Sequence, residues 1–281
     1  MHNITKRKSV KPLVVYLAYE PYGINLLKKF LKNYNFYKSG YEHDLLICFK
    51  EFDKKKLNLW SSYISNKFIK FFDQHNVNDF DIGSFLRVAE KFPNRLILFL
   101  NSFAKPVVNN WLKIFITNYT AKSIVGGHGV YASASSNFLK FQIENITKFK
   151  SIRYGLRHLI RVPLFPNPHI RTSNFLINSN DFLSLKVNRE KFKKKIETNY
   201  FESGRNSMSN QLKKKGFDLY VVNSENKKFS IKNWPKSNTF SLGNQNKLVI
   251  SDHRTEFYQK LTQKKKKEAQ KIYWGNIFSE G

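Results

Sequence analysis

Short unbroken apolar runs recur along this chain, and stretches with apolar residues at helical spacing separate them. Residues 13–18 (Leu-Val-Val-Tyr-Leu-Ala) form such a run between Pro12 and Glu20. Apolar character on successive residues means that both faces must be covered, as in a strand inside a parallel sheet. Residues 45–49, 96–100, 123–125, 175–177 and 219–222 repeat the pattern. Between them, residues 24–34 place Leu26, Leu27, Phe30 and Leu31 on one helical face. Phe85, Leu86 and Val88 follow Gly83 in the same way, and Trp111, Ile114, Phe115 and Tyr119 share a face within 107–119. Residues 68–72 read as a short buried helical turn, and 206–215 as a helix stopped by Gly216. Residues 191–200 are charged and helical in pattern. This alternation predicts an α/β fold with a mostly parallel sheet and flanking helices. One domain is expected over 12–258, with a basic insertion at 132–168 and a basic C-terminal tail at 259–281.

Composition sharpens the picture in three places. The 281 residues carry 49 Lys plus Arg against 20 Asp plus Glu, a net charge of +29. Such an excess points to an anionic partner: phosphate-bearing substrates, anionic lipid headgroups or nucleic acid. The lysines cluster at 54–56, 191–195, 213–215 and 264–267, and no zinc-finger spacing or RNA-recognition consensus accompanies them. Nucleic acid is therefore the weaker reading. The single cysteine, Cys48, lies in an apolar run and excludes both a disulfide framework and a multi-cysteine metal site. No apolar run is long enough to span a bilayer, and no signal-peptide core follows the basic residues 1–11, which is the pattern of a cytoplasmic protein.

Two polar clusters flank one helix–strand pair. Asp79 and Asp81, with Gly83, read as an acidic turn before the helix, and Asn101 and Ser102 follow the strand 96–100. A helix antiparallel to its strand puts both clusters on the rim at the strand's carboxyl end, where open α/β sheets bind ligands. A glycine-rich loop, Gly126-Gly127-His128-Gly129, opens after another strand. It lacks the spacing of a dinucleotide fingerprint or a Walker loop but permits close backbone approach.

The order of these features resembles bacterial glycosyltransferases of the nucleotide-diphospho-sugar (GT-A) fold, and among them the rhamnan-synthesis-F-like polysaccharide glycosyltransferases. The residues that carry the resemblance are Asp81-Ile82-Gly83, the strand 96–100, Asn101-Ser102 with Pro106, Gly126-Gly127, His169-Ile170-Arg171-Thr172, and Phe201-Glu202-Ser203-Gly204. They span about residues 12 to 258 as a series of short patches. The resemblance implies transfer of a sugar from a nucleotide-sugar donor to a growing glycan or glycolipid, with inversion. The place of work it implies is the inner membrane face, reached through lysine-rich patches. A nucleic-acid-binding protein and a non-catalytic scaffold of the same fold are the alternatives.

One departure bears on the metal. Enzymes of this fold place Asp-x-Asp after the central strand to hold a divalent cation, and here that place holds Asn101-Ser102-Phe103. An amide and a hydroxyl are poor ligands for a hard cation. Cationic side chains are expected to neutralise the diphosphate instead, with Mn or Mg held by Asp79 and Asp81 from the neighbouring loop, and His169 as a further ligand, as the alternative. The resemblance also supplies roles. Glu202 is the expected general base, Arg171 the diphosphate clamp, and Asp79, Asp81, Gly83, Asn101, Ser102, Gly126 and Gly127 the remaining substrate-binding set. Trp234, Gln245 and Asp252 are placed on the acceptor side.

Overall fold

The computed structural model describes residues 10–73, 79–136 and 159–275. Most of the predicted insertion, residues 137–158, lies outside them. The first half of the chain supplies β1 (Leu13–Tyr19), α1 (Ile24–Phe36), β2 (Asp44–Lys50), α2 (Lys54–Ser61), β3 (Ile69–Asp73), α3 (Phe80–Lys91), β4 (Leu96–Leu100), β5 (Lys105–Pro106) and α4 (Trp111–Thr117). There follow β6 (Ser123–Gly126), β7 (Gly129–Val130), β8 (His169–Ile170), β9 (Asn174–Asn178), α5 (Ser179–Leu183), α6 (Lys195–Ser203) and α7 (Met208–Lys214). The chain closes with β10 (Asp218–Val222), β11 (Lys228–Phe229), β12 (Ile250–Ser251), α8 (His253–Gln259) and α9 (Gln263–Trp274).

Eight strands form one sheet in the order β11-β10-β6-β9-β4-β1-β2-β3. The pairs β1–β2, β2–β3, β1–β4 and β6–β10 are parallel. Strand β9 runs antiparallel to both neighbours, β4 and β6, and β11 is antiparallel to β10. The expected mixed α/β architecture with a mostly parallel sheet is thus present. Apolar clusters cover both faces of the sheet. Along β1, Leu13, Val15 and Leu17 enter one cluster, and Val14, Tyr16 and Ala18 enter the other. Two-sided burial with period 2 is why the run contains no polar residue.

Several elements differ from the sequence-based expectation. Residues 69–73 are not a helical turn but the edge strand β3, paired in register with β2 from Leu46↔Ile69 to Lys50↔Asp73. Helix α3 starts at Phe80, before Gly83, because Phe80 takes a left-handed φ of 53° that turns the chain into the helix early. Asp81 and Gly83 therefore lie in its first turns rather than ahead of it. The basic C-terminal stretch also contains structure. Helix α9 ends on Trp274, which is fully buried and donates from Nε1 to the Phe240 carbonyl (3.1 Å), while Tyr131 N–H donates to the Tyr273 carbonyl (2.9 Å).

Candidate functional site

The chain leaves β1 for β2 and β3 on one side, then returns to β4 on the other. The carboxyl ends of β1 and β4 therefore flank a topological switch point, where open sheets leave a crevice. A cleft of about 410 Å³ opens there, within the usual range for ligand sites. Leu17 and Tyr19 from the end of β1, Lys50 from the end of β2, and Asn101, Ser102 and Phe103 after β4 form its floor. Phe80 and Asp81 enter from the start of α3, and Arg171 and Thr172 from the link between β8 and β9. Helix α6 contributes Lys195, Thr198, Asn199 and Glu202, and α8 contributes His253 and Arg254. The α6 residues are spaced three, one and three apart, so they share one helical face.

Four expected site residues, Asp81, Asn101, Arg171 and Glu202, thus meet in one cleft although they span more than a hundred positions of sequence. Ser102 joins them; its carbonyl accepts from the buried Tyr16 hydroxyl (2.8 Å), which fixes the turn after β4. Asn101 Oδ1 accepts from Phe103 N–H (3.1 Å), closing the same turn.

The two carboxylates of the cleft are in opposite electrostatic states. Burial, and then the charge of Glu202, push Asp81 up from 3.8 to about 6. Burial would raise Glu202 too, but Arg171, His169 and two hydrogen bonds from Thr172 hold it below the usual carboxylate range. Those bonds run from Thr172 N–H (2.9 Å) and Thr172 Oγ1–H (2.7 Å), both to Oε2. Glu202 is therefore a fixed anion, whereas Asp81 is the carboxylate able to exchange a proton near neutral pH.

Arg171 carries the facing positive charge. Its guanidinium lies 4.5 Å from the Phe240 ring centre, and its buried Nε has no hydrogen-bond partner among the described residues. Behind it stands Asp252, fully buried, whose Oδ1 accepts from Arg254 N–H and Thr255 N–H (both 2.9 Å) and so caps α8. Asp252 Oδ2 has no hydrogen-bond partner among the described residues and lies 3.5 Å from His128 Nδ1. The tautomer of that histidine follows from its contacts. Gly127 N–H donates to Asn174 Oδ1 (2.9 Å), so Asn174 Nδ2 faces His128 Nδ1 (2.9 Å), which must accept. His128 Nε2–H then donates to the Ile250 carbonyl (2.8 Å). Burial would raise Asp252; facing His128 and Arg171 instead hold it well below the usual range.

The other expected residues lie elsewhere. Asp79 is buried beneath the cleft, bonded to Lys50 Nζ (2.5 Å) and Arg87 Nη1 (2.5 Å). Gly83 leaves room for that carboxylate, since a β-carbon there would collide with it. Gly126 and Gly127 approach protein rather than open space: a β-carbon would strike Ile170 at the first and the Asn174 amide at the second. His169 is buried, its Nδ1–H donates to the Asn167 carbonyl (2.7 Å), and burial lowers its pKa. Trp234 and Gln245 are buried outside the cleft lining. Sequence reasoning missed Lys50, Lys195 and Arg254. The spacing of Lys195, Thr198, Asn199 and Glu202 was a readable signal for the second of these.

The resemblance implies a divalent cation. Among the described residues no three His, Cys, Asp or Glu side chains gather as a metal set. Asp81 lies in the cleft without His169, and Glu202 Oε2 is committed to Thr172.

No protein-family model matches the sequence, and no curated protein matches it. Solved structures similar to the chain include mouse xyloside xylosyltransferase 1 in its apo form, 12% identical, with 74% of this chain and 82% of that one covered and a TM-score of 0.38. The galactosyltransferase LgtC, in complex with donor and acceptor sugar analogues, is 12% identical over 75% and 73% of the two chains, with a TM-score of 0.39. The mannosyltransferase Ktr4p from S. cerevisiae is 9% identical over 70% and 63%, with a TM-score of 0.38. Likenesses at this level carry no functional weight, and the cleft itself has to supply the case.

Proposed function

We propose that the chain is a glycosyltransferase that moves a sugar from a nucleotide-diphosphate donor to a glycan or glycolipid acceptor, in a GT-A-like fold. The observation that carries this reading is the split carboxylate pair facing a cation cluster in one cleft at the sheet's switch point. Arg171, Lys195 and Arg254 neutralise the donor's diphosphate, with guanidinium geometry suited to phosphate oxygens. Asp81, rather than Glu202, takes the acceptor hydroxyl proton, because its carboxyl is the one poised near neutral pH. The acceptor oxygen bonds to the anomeric carbon as the carbon–oxygen bond to the diphosphate breaks, its electrons leaving with the diphosphate. Glu202 stays ionised, holds Arg171, and stabilises positive charge that develops on the sugar. One proton acceptor and one displacement give inversion.

Position at an anionic membrane surface belongs to the same proposal. Helix α9 exposes Lys264, Lys265, Lys267 and Lys271 together with Ile272. Basic side chains near such a surface are each worth about 1 kcal/mol. No described helix is long and apolar enough to cross a membrane.

The test is a thermal-shift screen of nucleotide-diphosphate sugars, each with Mn²⁺ or with EDTA. At least one donor should raise Tm by about 5 °C at a hundredfold excess over Kd, equally in either condition. If no donor shifts Tm, the reading fails; a shift that needs Mn²⁺ would overturn its cation-cluster part.

A further inference from the structure

Helix α6 has a second working face. Lys195, Thr198, Asn199 and Glu202 line the cleft, whereas Glu197, Tyr200 and Phe201 line a separate cavity of about 380 Å³ on the other side of the helix. We propose that this cavity binds an acidic sugar residue of the acceptor, a site one helix away from the transfer centre. The inference rests on the glycosyltransferase reading for the word acceptor; the anionic-saccharide chemistry stands on the cavity alone.

The cavity is positively charged. Arg161, Lys186 and Arg205 line it against one acid, Glu197. Arg161 Nη1 donates to Glu197 Oε1 (2.7 Å), which cancels one cation and leaves two. Arg205 is pinned without being neutralised: Nε donates to the Ile160 carbonyl (2.8 Å) and Nη2 to the Leu159 carbonyl (3.4 Å). The main chain of Lys186 is held by Gln211, which accepts from its N–H (2.7 Å) and donates to its carbonyl (3.2 Å). The exposed Lys186 side chain makes no ion pair among the described residues. Two cations, Lys186 and Arg205, that make no ion pair among the described residues suit a carboxylate or phosphate.

The rest of the lining suits a sugar. Tyr200 presents a ring already held by the Arg161 guanidinium 5.1 Å from its centre. Asn206 supplies a side-chain amide. Ring faces cover the apolar side of a pyranose while amides meet its hydroxyls. Gly204 makes the joint possible. A β-carbon there would stand 2.5 Å from the Tyr200 carbonyl and 3.2 Å from the Arg161 carbonyl, so only glycine lets the end of α6 meet residue 161. The Arg205 N–H then donates to the Arg161 carbonyl (2.8 Å). Gly204 lies two positions after Glu202, so cavity and cleft share one rigid support. A helix is about 10 Å across, and a glycan with its end in the cleft crosses that distance within a few residues.

The test is calorimetric titration of the full chain with trigalacturonate, mannose 6-phosphate and maltotriose as carboxylate, phosphate and neutral probes. Wild-type protein should bind at least one acidic probe at least tenfold more tightly than maltotriose, and which one it binds separates the carboxylate from the phosphate source. Lys186→Glu, an exposed change, should weaken that binding about tenfold, and Asn206→Trp, which fills the cavity, should abolish it. Neither variant should alter the thermal shift given by a nucleotide-sugar donor. The proposal is overturned if neither acidic probe outbinds maltotriose, or if both variants bind like wild type. A donor shift without acidic-probe binding sinks this proposal alone. Acidic-probe binding without any donor shift sinks the transferase reading and leaves an anionic-saccharide site.

Discussion

Two clusters of carboxylates and cations lie against each other in this protein, and they are built to opposite ends. Below the cleft, Asp73 and Asp79 are enclosed by Lys50, Arg87 and Ser84. Arg87 Nε and Nη2 donate to Asp73 (2.7 and 2.6 Å), Ser84 Oγ donates to Asp73 (2.6 Å), and Lys50 bridges to Asp79. Every carboxylate oxygen there has a donor, and Asp79 is held below the usual range by Arg87 and Lys50 against the opposing pull of burial. In the cleft, among the described residues, Asp81 accepts a local bond from Ile82 N–H (3.1 Å), Arg171 Nε has no partner, and Asp252 Oδ2 behind it has none. The closed cluster leaves nothing for a ligand to satisfy. The open one keeps a proton acceptor and a cation in reserve, so burial of charge marks a candidate site only where the hydrogen-bond inventory is incomplete.

That contrast can be broken at either member. Asp81→Asn should reduce sugar transfer by about 10²–10⁴-fold, the usual worth of a positioned base, while leaving the donor-induced thermal shift in place. Asp79→Ala, two residues earlier, should do the reverse. It takes the closest anion from buried Lys50 and leaves Arg87 with Asp73 alone, and should cost about 3–5 kcal/mol of stability, read by urea unfolding, with turnover per folded molecule changed little. If Asp79→Ala unfolds the chain no sooner than wild type, the closed cluster does not hold α3 in place.

Two aspartates two positions apart look alike in sequence, and this is where sequence reading stopped. Strands such as Leu13–Tyr19 were legible because burial on both faces leaves only apolar residues to choose from. The direction of β9 was not, since an apolar run reads the same either way along a sheet. Asp79 and Asp81 are sorted by Lys50 and Arg87, which only the fold brings to Asp79, and by the left-handed Phe80 between them. The glycines at 126 and 127 signalled close approach correctly, but not whether the approaching group is a ligand or a protein side chain. Glu202 and Arg171 were findable as residue types; the inversion of roles between Glu202 and Asp81 depends on the Thr172 hydrogen bonds, which no spacing reveals.

The pH dependence sharpens the comparison at smaller amplitude. With Asp81 raised to about 6, its base form is lost as pH falls through that value, so transfer should decline on the acid side with a limb near 6. Stability runs the other way for this group. A carboxyl whose folded pKa exceeds its ordinary 3.8 binds its proton more tightly when folded, so its contribution falls as pH rises from about 4 to about 6. Asp81→Asn should therefore stabilise the protein at pH 8 and lose that advantage by pH 4. The move from 3.8 to about 6 caps the effect at about 3 kcal/mol, and the partial exposure of Asp81 brings the expected gain to about 1–2 kcal/mol. Equal Tm differences between variant and wild type at pH 4 and pH 8 would show that Asp81 carries no such strain.

The smallest effect is aimed at what keeps Glu202 ionised. Thr172→Val removes the Oγ1 hydrogen bond to Oε2 and keeps the backbone one. Loss of one charge-assisted bond is worth about 1.5–3 kcal/mol, and it raises the Glu202 carboxyl toward its ordinary range, because a donor to the charged form has gone. Protonation of Glu202 then begins at higher pH, and Arg171 loses its facing anion sooner as the solution is acidified. Transfer by the variant should be close to wild type at pH 8 and about threefold to tenfold lower at pH 6, with donor Kd rising in the same direction if Arg171 holds the diphosphate. A deficit of the same size at both pH values would mean that Thr172 serves packing only, and that the anionic state of Glu202 rests on Arg171 without its help.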